Sequence, residues 1–393
     1  MVEWKKIEEI GSYFGGLTGK TKDDFDDGNA KFITYMNVFA NPSLNPSVVG
    51  VVKINEGEKQ NKVQKGDILF TGSSETPEEA GMSCVVTDDI DGDYYMNSFC
   101  FGLRLFSPEQ YNLHYLKHIL RSNSIRRKIA KTASGVTRFN ISKVRFSKIE
   151  IPIPSLQEQQ RIVDTLDTFT ASIDNLKEQI AQRRKQYEHY RDQLLDLEGK
   201  EGVVMKTLGE VGEFIRGNGI QKNDFVEEGF SCIHYGQIHA RYGFSAKETI
   251  SKIEEALYKK CKKAKKGDVV LATTSEDAEG VAKPFVWLGN DEVAVSGDAF
   301  IYHHNQIGKF MGHQFLTHKF MQFKLKYATG TKVVRISGEN MAKYVIALPS
   351  KEEQSRIVSI LDSFEASIAN LEEQLSLRQK QYEYYREKLL TFE

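Results

Sequence analysis

The sequence is poor in cysteine and contains no long hydrophobic run. Its four cysteines, Cys84, Cys100, Cys232 and Cys261, stand far apart along a chain of 393 residues. Cysteines without close neighbours argue against a disulfide framework or a zinc cluster and fit a reducing compartment. No apolar stretch is long enough to span a bilayer, and the first residues carry no signal pattern. These absences predict a cytoplasmic protein that does not associate with a membrane.

The sequence also lacks an excess of charge of either sign. It has 53 lysines and arginines against 54 aspartates and glutamates, a formal net charge of −1. The net charge of the whole chain therefore does not indicate a polyanionic partner, and any basic surface must be local. An apolar content of 40% and a charged content of 27% are typical of a globular protein, and the chain is long enough for more than one core.

Motifs that carry catalysis are missing as well. The stretch GGLTGKT at 15–21 has Phe14 where a phosphate-binding loop needs glycine. The sequence shows neither an adenine-methylase motif nor a glycine-rich cofactor turn, and its nine histidines form no ligand pair on a helix face. The acidic stretch 56–59 is better interpreted as a solvated turn than as a nuclease site. We predict no catalytic residue and no metal site.

What the sequence does contain is a long repeat. The passage PSLQEQQRIVDTLDTFTASIDNLKEQ begins at Pro154 and returns as PSKEEQSRIVSILDSFEASIANLEEQ from Pro349. Between 151–198 and 346–393, about 28 of the aligned positions are identical, far beyond chance. In each copy a serine is followed three residues later by glutamate, which predicts a capping box at the start of a helix.

Beyond this start, apolar residues recur at alternating steps of four and three, the spacing of a coiled-coil seam. The predicted pairing residues are Ile162, Leu166, Phe169, Ile173, Leu176 and Ile180 in the first copy, and Ile357, Leu361, Phe364, Ile368, Leu371 and Leu375 in the second. Each helix should run for about 40 residues, or roughly 60 Å. Packing of each helix on its own domain is the alternative, which this length disfavours. We predict that the two helices pair with each other, and do so antiparallel.

The segments that precede the helices are repeated more faintly. KGD at 65–67 corresponds to KGD at 266–268, and ASG at 133–135 corresponds to ATG at 328–330. Short β-rich runs with glycine and asparagine turns dominate both segments. We predict an α+β protein with two mixed, mostly β domains, each followed by one long helix, and with the helices paired as an antiparallel coiled coil with pseudo-twofold symmetry. The predicted bounds are 1–150 and 199–345 for the domains, and 151–198 and 346–393 for the helices.

A variable domain followed by PS-x-x-EQ-x-RIV-x-x-LD-x-F, and then by the same again, resembles the specificity subunit of type I restriction–modification systems. The resemblance covers the whole chain. It implies two target-recognition domains, each reading one half of a split site in double-stranded DNA, with the helices as spacers. It further implies two modification (adenine methyltransferase) subunits docked on the helices, together with restriction–translocase subunits. S-adenosylmethionine, ATP and Mg would then belong to the partners, and this chain would be non-catalytic and hold no cofactor.

Recognition of DNA needs basic and hydroxyl side chains for phosphates, and amides or guanidinium groups for base edges. The candidate DNA-binding residues of the first domain are Lys20, Lys22, Asn37, Ser73, Ser74, Thr137 and Arg138. Those of the second domain are Arg216, Asn218, Gln221, Lys222, Tyr235, Gln237, Thr274, Ser275, Lys332 and Arg335. Further basic candidates are the residues 126–128 and the lysine run 259–266.

Each of these assignments has an alternative. Asn37 and Gln237 occupy matching places and could each bond adenine N6 and N7, but such an amide could equally brace a loop. The lysine run could be a solvated helix face, and the turns at Gly135 and Gly330 could be purely structural. Two other classes of function also stay open: a nucleic-acid enzyme with an unrecognised active site, and a coiled-coil adaptor whose domains bind proteins.

Overall fold

The computed structural model describes residues 2–330 and 332–392. The chain divides into two compact units, one formed by the chain up to Lys177 together with the part from Glu373 onwards, and the other by Glu178–Glu372. Each unit contains one repeat of strands and short helices and a part of both long helices. The predicted mixed α+β fold is confirmed, although the compact units divide the long helices instead of leaving them as separate segments.

The first repeat consists of short strands and short helices that lead into one long helix. Its strands are β1 (Glu3–Lys6), β2 (Gly11–Gly15), β3 (Ala30–Ile33), β4 (Gly50–Val52), β5 (Lys62–Val63), β6 (Ile68–Thr71), β7 (Ser73–Ser74), β8 (Ser83–Val85), β9 (Tyr94–Met96), β10 (Cys100–Leu105), β11 (Ala133–Ser134), β12 (Phe139–Ile141) and β13 (Glu150–Ile153). Its helices are α1 (Ile7–Ile10), α2 (Tyr35–Ala40), α3 (Leu113–Ile119), α4 (Asn123–Ala130), α5 (Lys143–Phe146) and the long α6 (Leu156–Leu195).

The strands of the first repeat form small, mainly antiparallel sheets around an aromatic core. The sheet orders are β2-β10-β6-β8, β4-β3-β9-β5 and β11-β12-β7, with β1 paired to β13. Strand β6 is buried along its whole length because its near-continuous apolar run lies between neighbours on both sides. Phe70 stacks on Phe101 at 5.3 Å between ring centroids, and Phe146 meets both rings edge-on.

The second repeat has nearly the same order of elements, with a few additions and, among the described residues, no strand in the place of β11. Its strands are β14 (Val204–Thr207), β15 (Gly212–Arg216), β16 (Phe225–Val226), β17 (Phe230–Ile233), β18 (Ser245–Ala246), β19 (Ser251–Ile253), β20 (Lys263–Ala264), β21 (Val269–Ala272), β22 (Thr274–Ser275), β23 (Lys283–Trp287), β24 (Val293–Val295), β25 (Ala299–His304), β26 (Val334–Arg335) and β27 (Val345–Leu348). Its helices are α7 (Leu208–Val211), α8 (Tyr235–Ala240), α9 (Glu255–Lys260), α10 (Gly308–Gln314), α11 (His318–Tyr327), α12 (Gly338–Ala342) and the long α13 (Lys351–Leu390).

The sheets of the second repeat correspond to those of the first. The orders are β15-β25-β21-β23-β18 and β16-β19-β17-β24-β20, with β14 paired to β27 and β22 paired to β26. The parallel pair β17–β24 matches the parallel pair β3–β9. The repetition that is faint in the sequence is therefore nearly complete in the backbone.

The long helices begin later than the predicted segments. Residues 151–153 and 346–348 belong to strands β13 and β27, because each forms an antiparallel ladder with the first strand of its repeat. At the helix starts, the serine half of the predicted capping box is present, since Ser155 and Ser350 each accept a hydrogen bond at 3.3 Å from the amide three residues on. The glutamate carboxylates pair with Arg161 and Arg356 in place of the predicted return bond.

Contacts within the first unit show that α6 and α13 run antiparallel. Ile162 and Leu166 of α6 share a hydrophobic core with Leu390 of α13. Further along α6, Phe169 stacks on Tyr385 with ring centroids 5.2 Å apart. Residue numbers therefore rise along one helix while they fall along the other.

The second unit repeats these contacts with the helices exchanged. Ile357 and Leu361 of α13 share a core with Leu195 of α6, and Phe364 stacks on Tyr190 at 5.4 Å. The predicted antiparallel pairing is therefore confirmed in both units. The contacts of the two units are thus matched, with α6 and α13 exchanged.

The predicted seam positions differ in burial. Ile162, Leu166, Ile357 and Leu361 are fully buried because they also belong to the core of the adjoining repeat. The packing of each helix on its own domain thus exists together with the pairing. Among the other seam positions, the buried ones are Ile173, Leu176 and Ile180, and the half-buried ones are Phe169, Phe364, Ile368, Leu371 and Leu375.

Candidate nucleic-acid interface

A small sheet in the first repeat brings four of the predicted DNA-binding residues together. Strand β12 lies between β11 and β7 and pairs with both. The turn 135–138, which joins β11 to β12, carries Thr137 and Arg138 on its exposed side. Ser73 and Ser74 form β7 and are only 5% and 7% exposed. The serines therefore support the sheet, while the turn presents the hydroxyl and the guanidinium group to solvent.

Glycine shapes this turn in both repeats. Gly135 has φ +155°, and a Cβ there would collide with the carbonyl oxygen of Arg138. Gly330 has φ +113°, and a Cβ there would collide with the carbonyl oxygen of Val333. Glycine is thus required for the backbone conformation of each turn, which agrees with the interpretation of these turns as structural. The described residues of both turns are exposed.

In the second repeat, the corresponding hairpin borders a cleft of about 270 Å³. Thr274 on β22 lies opposite Arg335 on β26, and Lys332 is exposed in the preceding turn. Arg216, at the end of β15, lines the same cleft as Thr274 and Arg335. Three residues that together span more than a hundred positions of the sequence are thereby brought to one place.

Hydrogen bonds fix the polar groups of this cleft. Nε of Arg216 donates to the carbonyl oxygen of Gly297 at 2.9 Å, and Oγ1 of Thr274 donates to the Asp298 carboxylate at 3.2 Å. A guanidinium group held through Nε can still present its two terminal nitrogens side by side. That is the geometry with which arginine reads the O6 and N7 atoms of guanine.

Beside each hairpin lies a turn that makes the same backbone hydrogen bond in both repeats but displays a different side chain in each. The amide of Gly72 donates to the carbonyl oxygen of Phe99 at 2.7 Å, and that of Thr273 donates to the carbonyl oxygen of Asp298 at 3.1 Å. Phe99 and Asp298 are therefore equivalent. Phe99 is 57% exposed, and the guanidinium carbon of Arg138 lies 5.4 Å from its ring centroid.

The two amides proposed as base readers are occupied within the fold. Nδ2 of the fully buried Asn37 donates to the carbonyl oxygens of Asn45 and Val48 at 2.8 and 2.7 Å, and its Oδ1 accepts from the amide of Asn45. Nε2 of the buried Gln237 donates to Ser251 Oγ at 2.6 Å. Both N–H groups and the oxygen of the Asn37 amide are therefore occupied, and the Gln237 amide is buried with one of its N–H groups committed. The structure therefore favours the loop-bracing alternative for both residues.

Of the two lysines near the start of the chain, one is committed to an ion pair. Nζ of Lys20 lies 2.6 Å from the Glu58 carboxylate, and the lysine side chain is 5% exposed. The hydrogen bond from Lys20, with others from neighbouring groups, lowers the pKa of Glu58 to about 2. A phosphate contact by Lys20 would require this pair to break, whereas Lys22 is exposed and stays a candidate.

A cation braces the loop that follows the hairpin strand in each repeat. Arg126 donates to carbonyl oxygens within 78–81, and Lys324 donates to carbonyl oxygens within 279–281. Burial lowers the pKa of Arg126 to about 10 and that of Lys324 to about 8. Arg126, a sequence candidate for phosphate contact, thus has a structural role.

The glycine-rich loop 216–222 lies against the lysine run 259–266. Oδ1 of Asn218 accepts a hydrogen bond from the amide of Lys262 at 2.5 Å, so this side chain joins the two segments. Gln221 and Lys222 are exposed, as are most lysines of the run. Of the remaining candidates, Arg127 is exposed, and Lys128, Ser275 and Tyr235 are half-buried.

Local charge identifies residues that the motif search missed. The window 123–149 contains eight lysines and arginines and no aspartate or glutamate. The matching window 318–344 contains six lysines and arginines and one glutamate. Both windows include the hairpin turn of their repeat. Lys131, Lys143 and Lys148 are exposed members of the first window that were not among the predicted contacts. A count of charge in short windows would have found them, because the net charge of the whole chain conceals them.

The structure also bears on other kinds of site. In the described residues, no group of three or more His, Cys, Asp or Glu side chains could hold a metal ion. No helix among these residues is long and apolar enough to cross a membrane. All four cysteines are buried, and burial raises the pKa of Cys84, Cys100 and Cys232 to about 12, so these three thiols stay protonated at neutral pH.

Comparison with known proteins identifies the class of the chain. Residues 1–183 and 200–378 each match the family model of the type I restriction modification DNA specificity domain. A Haemophilus influenzae protein assigned as a type I restriction enzyme specificity subunit is 30% identical over 310 residues, which are 72% of this chain and 73% of that protein. The EcoR124I/EcoR124II specificity subunit of Escherichia coli is 32% identical over 264 residues, 64% of this chain and 65% of its own length.

Solved structures agree on the fold. A type I restriction–modification S subunit from M. genitalium superimposes with a TM-score of 0.53 at 16% identity, over 100% of this chain and 97% of that one. A second structure comes from work on complex assembly and conformational transition of the type I restriction–modification system. It superimposes with a TM-score of 0.63 at 17% identity, over 99% of this chain and 97% of that one. The chain belongs to the family of type I restriction–modification specificity subunits. Its function is DNA sequence recognition, and the enzymatic activities lie on partner subunits.

Proposed function

We propose that each repeat reads one half of a split site in double-stranded DNA, and that the paired helices set the gap between the halves. The observation that carries this proposal is the repetition of one backbone with different side chains on its hairpin surface. Each repeat has the same glycine turn within a basic window, yet Arg138 and Phe99 stand in one repeat where Val333 and Asp298 stand in the other. Two copies of one scaffold with different contact residues suit two different half-sites.

The helices also offer a surface on which a modification subunit can dock. Leu377 and Tyr384 of α13 are 53% and 61% exposed, and their spacing of seven residues places them on one face of the helix. Large apolar side chains exposed on one face of a helix are suited to a contact with another protein. The matching positions of α6 are Gln182 and His189, so a second modification subunit would meet a more polar face.

The partners implied by this function complete the proposal. Two modification subunits would bind S-adenosylmethionine and methylate adenine, and restriction–translocase subunits would use ATP and Mg. This chain would hold none of these cofactors. The complex would act in the cytoplasm, where its DNA substrate lies.

The spacer role can be tested by lengthening both helices. One heptad inserted after Ile180 and one after Leu375, at matching positions of the two copies, preserves the apolar seam. Seven residues add roughly 10 Å, which corresponds to about 3 base pairs at roughly 3.4 Å each. The assembled complex with its modification subunits should then methylate the same two half-sites across a longer gap. It would lose methylation if the rotation of about a third of a DNA turn is not absorbed.

Outcomes of this experiment separate the alternatives. Unchanged half-sites at an unchanged gap would contradict the spacer role. For docking, Leu377→Arg with Tyr384→Arg should reduce the co-purified modification subunits from two per chain to one, and Phe106→Arg, at an exposed residue outside the long helices, is the control. Cleavage or methylation of DNA by the isolated chain would favour a nucleic-acid enzyme with an unrecognised site. A complex that forms but binds no specific DNA would favour a protein-binding adaptor.

A further inference from the structure

We propose that Phe99 is a specificity-determining residue of the first repeat, and that its ring packs against the 5-methyl group of a thymine in the major groove. This inference rests on the proposed function and adds to it the chemical group that one half-site must present. The equivalent position of the second repeat, Asp298, would contact a different base edge. The exposure of the ring, the rigidity of its turn and the positive charge beside it support this assignment.

Phe99 is displayed on a turn that the fold holds from both sides. Its amide donates to Oδ1 of Asn97 at 2.8 Å, and its carbonyl oxygen accepts from the amide of Gly72 at 2.7 Å. The next residue, Cys100, donates back to the carbonyl oxygen of Asn97 at 3.0 Å. A large ring that is 57% exposed on so well braced a backbone is preorganised for contact, because little conformational entropy remains to be lost on binding.

The fold itself does not require an aromatic side chain at this position. In the second repeat, the same turn carries Asp298, and the hydrogen bond to its carbonyl oxygen from Thr273 is retained. A ring that is mostly exposed contributes little to a core and exposes apolar surface to water. Its presence therefore calls for a function that aspartate cannot perform.

The surroundings of the ring identify DNA as its partner and the methyl group as its contact. Arg138 lies over one face of the ring at 5.4 Å, on a turn whose tip residue Val136 is 92% exposed. The turn belongs to the 123–149 window, which has eight cations and no acid and suits a polyanion. In the major groove, the strongly apolar group is the thymine methyl. Because Arg138 covers one face, the ring is poorly suited to slide between two stacked bases, which needs both faces.

The test removes the methyl group from the DNA and the ring from the protein, separately and together. The complete complex with its modification subunits is titrated, at one salt concentration, with duplexes carrying its mapped site. In these duplexes each thymine of the first half-site is replaced singly by deoxyuridine, which pairs identically but lacks the methyl. That half-site is the one whose reading survives Arg216→Ala. We expect one replacement to raise Kd about fourfold, the equivalent of one buried methylene-sized group.

Phe99→Ala should weaken binding to the thymine duplex and lose the fourfold sensitivity to uracil. Phe106→Ala is the matched control, because Phe106 is also exposed, at 64%, but lies at the other end of β10. That variant should keep the sensitivity. The inference is overturned if the unaltered complex binds every uracil duplex equally, if Phe99→Ala retains the fourfold difference, or if the half-site contains no thymine. A complex that cannot tell its mapped site from unrelated DNA overturns the proposed function as well, so the two failures are distinguishable.

Discussion

The two repeats agree in their backbone hydrogen bonds and differ in the side chains that those bonds hold in place. Gly72 and Thr273 donate to the same turn, yet the turn displays Phe99 in one repeat and Asp298 in the other. At the end of the adjoining strand, Gly15 stands in the first repeat where Arg216 stands in the second. A scaffold built this way can change its surface chemistry without changing its fold, since the displayed side chains contribute little to the core.

The opposite pattern is found where a long helix packs on each repeat. There the two repeats share the same side chain but differ in the groups around it. His118 and His313 occupy matching places, and each lies 3.3 Å from a tyrosine hydroxyl of a long helix. Nε2 of His118 also lies 2.7 Å from the Asp167 carboxylate, whereas Nε2 of the fully buried His313 has no hydrogen-bond partner among the described atoms. Burial lowers the pKa of both histidines, that of His313 to about 3.

The largest effect should come from a charge placed at the junction of a helix with its repeat. Leu166 and Leu361 are both 0% exposed, and each belongs to the core of one unit. Leu166→Asp and Leu361→Asp should each cost about 4 kcal/mol or more, because apolar packing is lost and a carboxylate is buried without a partner. Hydrogen exchange should show that the protection of backbone amides falls first in the unit that contains the substitution. Equal loosening of both units by either variant would show that the repeats unfold as one.

A smaller effect should distinguish the two junction histidines. His118→Phe leaves the Asp167 carboxylate without the hydrogen bond that, together with one from Lys117, outweighs burial and holds the pKa of Asp167 at about 2. We expect a loss of about 2 kcal/mol in the free energy of unfolding. His313→Phe removes a buried nitrogen that has no partner among the described residues and keeps the stacking on Phe244 at 4.3 Å. It should be neutral or stabilising.

Urea unfolding of the two phenylalanine variants measures this difference. Asparagine at each position is the control, because it keeps a polar group and loses the ring. Equal losses for His118→Phe and His313→Phe would mean that the carboxylate contact adds nothing, and that the contact with a tyrosine hydroxyl, which both histidines make, accounts for the loss.

The loop-bracing lysine of the second repeat should give stability a dependence on pH that the arginine of the first does not. Burial lowers the pKa of Lys324 from 10.5 to about 8. Below pH 8, folded and unfolded chains both carry the proton, and the cost of burying the ammonium group is fully present. Between pH 8 and 10.5, the folded chain releases the proton while the unfolded chain keeps it, so stability rises with pH. We expect a gain of about 1.5 kcal/mol between pH 8 and 9.5.

Lys324→Met supplies the reference, since other groups titrate in the same range. The unfolding free energy of the native chain minus that of this variant should increase between pH 8 and 9.5. Arg126→Met is the matched control in the first repeat and should show only a small slope up to pH 9.5, because an arginine with a pKa of about 10 is still mostly charged at that pH. A flat difference for Lys324→Met would mean that the lysine is charged throughout.

The features that could be predicted from the sequence are those set by local patterns. The four–three spacing predicted both long helices and their pairing, and Gly135 and Gly330 marked the hairpin turns. The fate of single polar residues could not be predicted in this way. Arg126 and Arg138 are similar in sequence, but one is bonded to a neighbouring loop and the other lies over an exposed ring. Asn37 is buried by residues 45–48, and only the tertiary fold decides that contact.

The smallest expected effect concerns the arginines that interrupt the apolar seam. Arg183 lies 6.0 Å from the ring centroid of Phe364 in the second unit, and Arg378 lies 5.7 Å from that of Phe169 in the first. Each partly exposed cation–π contact should contribute about 0.5 kcal/mol. A double-mutant cycle with Arg→Met and Phe→Leu at each pair isolates that coupling from the packing of the ring. If the contacts are reciprocal copies, the two coupling energies should agree within about 0.3 kcal/mol. A coupling present at one pair and absent at the other would show that the matching of the two halves is geometric and does not extend to their energetics.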